Sequence, residues 1–212
     1  MAVFAELPLL YPILDAGVLL EAGVSIEGFA RELREAGIRF LQYRDKVGSD
    51  GEVLTRAALL RSIFPARDSC LVLNDRVALA TAVAFDGVHV GQDDIEPAQA
   101  REILGPQALI GFSTHDERQL QSARGGPANY LAIGPIFPTS SKQNPDPVVG
   151  LEAIRLARRL TSKPLVAIGG ITRENCFAVR EAGADSVAVV SALLPRGGQS
   201  ARSLVREFLM RL

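Results

Sequence analysis

The chain has 212 residues, 48% of them hydrophobic and 22% charged, with a formal net charge of -1. That balance excludes a disordered polymer, and the scattered lysines and arginines form no basic block of the kind that binds nucleic acid. No run approaches the ~20 consecutive apolar residues that span a bilayer.

The N-terminal MAVFAELPLLYPILDAG lacks a basic leader and carries acids and prolines within its apolar stretch, so it does not read as a signal peptide. Cys70 and Cys176 lie far apart with no C-x-x-C, and both are expected to be buried thiols. A reducing cytoplasm fits these features.

Short apolar runs rich in branched residues alternate with amphipathic patterns, which predicts an α/β fold: a single (β/α)8 TIM barrel over residues 1–212. The first strand is expected at Leu9–Ile13. A helix follows over Ser25–Ala36, with Ile26, Phe29 and Leu33 at helical spacing, Ser25 at its start and Gly37 just past its end. Strand Phe40–Tyr43 leads to a helix at Glu52–Phe64, stopped by Pro65. Strand Cys70–Leu73 precedes a short Ala-rich helix, Val77–Ala84, and strand Gly87–Val90 precedes a helix that opens at Pro97. After strand Ala108–Phe112, Thr114 and Glu117 have the form of a capping box. Strand Tyr130–Ile133 runs into Gly134–Gly150, the longest stretch with neither period, read as a mobile loop over a site. Helix Gly150–Leu160, strand Leu165–Ile168, a Thr-capped helix Thr172–Ala182, strand Ser186–Val190 and helix Ser200–Leu212 complete the series.

A barrel interior is packed, so polar residues just past the C-terminal strand ends face the mouth where barrel enzymes work. Seven of the eight predicted ends carry such residues. After strand two, alternation places Gln42, Arg44 and Lys46 on one side, three donors suited to an anion, unless Arg44 merely pairs with Asp45. Strands three and four end in Asn74-Asp75-Arg76 and Gln92-Asp93-Asp94. Carboxylates on neighbouring strands can share one divalent cation, although Asp75, Asp93 and Asp94 are also placed to cap the following helices. Strand five ends at Ser113, Thr114 and His115, where His115 suits either a general base or a helix-terminus role. His89, inside strand four, reads as a satisfied core side chain. Thr139, Ser140, Ser141 and Lys142 follow strand six. Gly169, Gly170 and Ser191 end strands seven and eight, where glycine amides close on a phosphate. Tyr11 and Asp15, on strand one, receive no chemical role.

Taken in order, QYRDK, LNDR, DGVHVGQDD, GFSTHD, IGPIFPTSSK, VAIGGIT and AVVSAL resemble the thiamine phosphate synthase family, from strand two to strand eight. The resemblance implies a barrel that condenses 4-amino-2-methyl-5-(diphosphooxymethyl)pyrimidine with hydroxyethylthiazole phosphate, with Mg2+ as cofactor. It implies that Gln42, Arg44, Lys46, Asn74, Ser113 and Lys142 hold the pyrimidine diphosphate, with Arg44, Ser113 and Lys142 acting in catalysis. Thr139, Ser140, Ser141, Gly170, Val190 and Ser191 would hold the thiazole phosphate, and Asp75 and Asp94 the metal. The implied partners are small phosphorylated molecules, without nucleic acid or membrane, and a homo-oligomer is compatible with the reading. Two positions depart from the family pattern: Ser141 replaces a common threonine, and Arg76 stands where an acid is frequent. A thiazole tautomerase using His115, or a non-catalytic barrel that binds thiamine precursors, is the alternative.

Overall fold

In the computed structural model, which describes residues 7–139 and 146–212, eight parallel strands pair in chain order and the last closes on the first. They are β1 (Leu10–Asp15), β2 (Phe40–Arg44), β3 (Cys70–Asn74), β4 (Gly87–Val90), β5 (Leu109–Thr114), β6 (Tyr130–Ile133), β7 (Leu165–Ile168) and β8 (Ser186–Val189). The helices between them are α1 (Ala16–Glu21), α2 (Ile26–Glu35), α3 (Asp50–Ile63), α4 (Val77–Ala82), α5 (Pro97–Leu104), α6 (Glu117–Ala123), α7 (Gly150–Leu160), α8 (Cys176–Glu181) and α9 (Ala201–Leu209). The expected (β/α)8 barrel is the observed fold. Among the described residues no helix is long and apolar enough to cross a membrane.

The strands alternate with period two, so each divides its side chains between two cores. Leu10, Leu14, Leu41, Tyr43, Leu71, Leu73 and Leu131 face outward and pack with buried helix residues such as Phe29, Leu33, Leu60 and Phe208. Tyr11, Ile13, Phe40, Val72, Tyr130, Val166 and Ala188 fill the barrel. Cys70 belongs to the inner core and Cys176 to the outer, both as buried free thiols.

Local chemistry explains most helix boundaries. Ser25 caps α2 by accepting from the Gly28 N–H at 3.2 Å, and Gly37 just beyond the helix adopts the left-handed φ of 95° that glycine tolerates best. Ser49 and Glu52 form a reciprocal capping box, which starts α3 two residues before the expected Glu52. Two expectations are corrected, and one further element appears. Thr114 is the last residue of β5, its hydroxyl donates to the Ala132 carbonyl at 2.8 Å, and Asp116 caps α6 instead. Helix α8 begins at Cys176 because Thr172 opens a turn in which its N–H donates to the Asn175 side chain. The short α1 was not anticipated, and Asp15 caps it by accepting from Val18 N–H.

At the barrel floor one device appears three times. The residue before an even-numbered strand bonds the preceding strand through both its backbone N–H and its side chain, and also takes an arginine. Asp86 N–H donates to the Leu71 carbonyl while its carboxylate accepts from Leu71 N–H at 2.7 Å and from Arg61 at 2.6 Å. Asn129 repeats this with Ile110 and Arg101, and Asp185 with Leu165 and Arg158. Each of these side chains fixes strand register and helix position at once.

Higher in the barrel, five side chains form a continuous chain. The Gln42 amide donates to the Tyr11 hydroxyl at 2.9 Å, Tyr11 bonds Tyr130 at 2.9 Å, and Tyr130 bonds His89 Nδ1 at 3.0 Å. His89 Nε2 then meets the Ser113 hydroxyl at 2.8 Å. Gly111 makes the room, since a Cβ there would collide with the Tyr130 ring and with His89. Burial lowers the His89 pKa to about 4, so the ring is neutral at physiological pH.

Two stability predictions follow from these contacts. Asp185→Ala should cost roughly 1–2 kcal/mol in urea denaturation, and Asp185→Asn clearly less, because Asn129 already fills the equivalent place. His89 sets a pH dependence. Below its ordinary pKa the unfolded chain takes up a proton that the folded chain refuses until about pH 4, so this stability contribution falls from pH 6.5 towards pH 4. Between pH 7 and 4.5 wild type should lose about 2–3 kcal/mol more than His89→Gln, each measured by denaturant titration at both pH values.

Candidate active site

A cavity of about 780 Å³ opens at the C-terminal ends of the strands, within the range that holds a small-molecule substrate. Every member of the sequence-derived site that lies among the described residues lines it. Ser140, Ser141 and Lys142 fall outside the described residues.

Alternation along β2 decides the first wall. Gln42, Arg44 and Lys46 all line the cavity, while Tyr43 and Asp45 turn outward. Asp45 therefore does not pair with Arg44. Its buried carboxylate accepts from the Tyr43 hydroxyl at 2.7 Å, the Gly48 amide at 2.7 Å and Arg56 at 2.7 Å. Burial opposes ionisation of Asp45, but these donors together hold its pKa below the usual carboxylate value. Arg44 pairs instead with Asp15, which lies directly across the β1–β2 ladder.

The second wall is acidic. Asp75 follows β3 in a left-handed conformation, φ 62°, and pairs with Lys46. It does not cap α4, whose first turn has no side-chain cap. Asp94 accepts from the Gly91 amide at 2.7 Å, and the N-cap of α5 is Glu96, whose N–H donates to the Gln99 side chain at 3.2 Å. Both carboxylates are thus spared the capping role. Burial and the adjacent Asp94 carboxyl raise the Asp75 pKa, against the opposing pull of Lys46. Like charges held together in this way suit a divalent cation. A pair of carboxylates fits an ion that takes few protein carboxylates and completes its shell with water and ligand oxygens; among the described residues there is no group of three or more His, Cys, Asp or Glu that could hold a metal. Arg76, the departure from the family pattern, points away, bonding Asp50 and the Gly48 carbonyl and anchoring the start of α3.

Across the mouth most of the lining is neutral, with Asp146 and Arg196 as the charged exceptions. Ser113 presents its hydroxyl from β5, Thr139 follows β6, and Gly169, Gly170, Val190 and Ser191 follow β7 and β8. Gly169 and Gly170 have φ of 98° and 62°, and a Cβ at Gly170 would press on Phe137 at 2.8 Å. Only glycine lets the chain pass here. The segment read as a mobile loop is tied to β7 where it begins, through Ile136 N–H to the Ile168 carbonyl and Phe137 N–H to the Gly169 carbonyl. His115 lines the cavity, yet its Nδ1 donates to the Gly134 carbonyl at 2.7 Å, which fixes the tautomer.

Sequence reasoning missed Tyr11, Asp15 and Tyr130, and gave His89 only part of its role. His89 is satisfied through both nitrogens as expected, but it also lines the cavity. The strand-end rule applied to β1 would have found Asp15. Tyr130 lay on the inner face of a strand that reads as plain core.

The family model for thiamine monophosphate synthase matches residues 10–193. A thiamine-phosphate synthase of Koribacter versatilis is 54% identical over 196 residues, covering 92% of each chain. One from Chloroflexus aurantiacus is 42% identical over 186 residues, covering 87% of this chain and 84% of the other. The solved thiamine phosphate pyrophosphorylase of Pyrococcus furiosus superposes with a TM-score of 0.82 at 31% identity, covering 96% of this chain and 95% of that one. The chain belongs to the thiamine monophosphate synthase family.

Proposed function

We propose that this chain joins the hydroxymethylpyrimidine diphosphate to hydroxyethylthiazole phosphate, forming thiamine phosphate and releasing diphosphate, in the cytoplasm. The observation that carries the reading is one mouth with two unlike sides. Cations and a carboxylate pair lie over β2 to β4, and glycine amides and hydroxyls lie over β6 to β8. Identity of 54% with a thiamine-phosphate synthase supports it.

Gln42, Arg44, Lys46, Asn74, Ser113 and Lys142 bind the pyrimidine diphosphate. Thr139, Ser140, Ser141, Gly170, Val190 and Ser191 bind the thiazole phosphate. The bond between the pyrimidine methylene and the diphosphate oxygen breaks, and its electron pair leaves with the diphosphate. The thiazole nitrogen then donates its lone pair to the methylene carbon, giving the thiazolium product with no proton transferred. Asp75 and Asp94 would hold Mg2+, which would supply positive charge to the leaving diphosphate. Arg44, Lys46 and Lys142 add charge that counts for more as the leaving group develops. Gln42 and Ser113 end the buried hydrogen-bonded chain, so the floor beneath the pyrimidine is preorganised.

The test is direct. Purified protein with both phosphorylated halves and Mg2+ should yield thiamine phosphate and diphosphate in equal amounts, and a chelator should abolish both. Binding without product would favour a precursor-binding barrel, and proton exchange on the thiazole alone a tautomerase. Asp94→Ala should lower turnover by roughly 10²-fold while the thermal unfolding transition remains cooperative. Near-wild-type turnover would remove Asp94 from the metal site.

A further inference from the structure

The cavity is lined, among the described residues, by three side chains of lysine or arginine: Arg44, Lys46 and Arg196. Arg44 is neutralised by Asp15 and Lys46 by Asp75. The Arg196 guanidinium has neither an ion pair nor a hydrogen bond among the described residues. It lies on the exposed turn between the Ser191–Leu193 3-10 helix and α9, a turn continued by Gly197 and Gly198 with φ of 57° and 82°. That turn follows β8, so Arg196 belongs to the side of the mouth where Gly169, Gly170, Val190 and Ser191 stand.

Apart from Asp146, whose carboxylate lies 3.7 Å from His115 Nδ1, the other lining residues of this side are neutral. Backbone amides and the hydroxyls of Thr139, Thr172 and Ser191 can bond phosphate oxygens, but none carries a full charge. A phosphate monoester holds about −1.5 to −2 charge at pH 7. A guanidinium offers it a planar fork of donors, and a side chain without a carboxylate partner surrenders no existing pair when the anion arrives.

We propose that Arg196 is the cation that binds the phosphate of the acceptor substrate and makes the site select the phosphorylated thiazole over the free alcohol. The proposal rests on the synthase reading above. It adds a charged residue to a subsite whose other members, as described, act through amides and hydroxyls.

The test compares wild type, Arg196→Ala and Arg196→Lys with hydroxyethylthiazole phosphate and with unphosphorylated hydroxyethylthiazole as acceptors. In Arg196→Ala the KM for the phosphorylated acceptor should rise about tenfold or more, with the KM for the pyrimidine diphosphate unmoved. The ratio of kcat/KM between the two acceptors should fall by the same factor, and Arg196→Lys should recover part of it. Calorimetric titration of the thiazole phosphate into each protein reads the same contact without turnover. Failure of condensation in wild type, with an Arg196-dependent affinity retained, would sink the synthase reading and leave the contact standing. Equal affinity in wild type and Arg196→Ala overturns the assignment, as does an equal loss on both acceptors, which would mark Arg196 as structural.

Discussion

A parallel strand closed into a barrel has no free face, and everything in this protein depends on that constraint. Alternate residues must fill the interior or meet the helices, so no side chain of a strand is left to solvent along its length. The rule lapses only where a strand emerges at its C-terminal end. There the inward series of β2 passes from Phe40 through Gln42 to Arg44, from apolar packing to an amide to a charge. The same passage occurs on β1 through Tyr11, Ile13 and Asp15. The cavity is where the inner core stops being able to pay for polarity with packing.

Polarity nevertheless extends below the mouth. Tyr11, Tyr130 and His89 are buried, and each has the partners its atoms require only because the others are there. Their bonds cross the barrel from β1 to β6 to β4, so strands distant in sequence are held at fixed separation just beneath the cavity. Gly111 is the counterpart of this arrangement, a residue whose missing side chain provides the space. A fully satisfied network of this kind gives the floor one geometry rather than several.

The two walls of the mouth are organised differently. Over β2 to β4 the charges are paired before any ligand binds, Arg44 with Asp15 and Lys46 with Asp75. Such pairing fixes the side chains at the cost of weakening their field. Over β7 and β8 the backbone makes the approach, with left-handed glycines and amides, and charge enters from the turn after β8. One wall presents side-chain charges that are already paired, the other presents backbone donors that only left-handed glycines expose.

The alternation of branched runs with helical patterns determined the eight-stranded barrel, and strand-end position determined most of the cavity lining, because period and polarity are local properties that packing then uses. Capping at Ser25 was equally local. Other choices were made between elements. Thr114 had the spacing of a cap, but the β5–β6 ladder offered its hydroxyl the Ala132 carbonyl, and Asp116 took the helix. Asp45 stood next to Arg44 in sequence, yet alternation sent them to opposite faces, and Asp15, 29 positions away, became the partner. Tyr130 and His89 read as core because nothing in their own segments announces a partner; closure of the barrel supplies it. The sequence by itself determined which residues reach the mouth, and only the tertiary structure decided which of them pair, because pairing depends on the register between strands and register is set by the closed sheet.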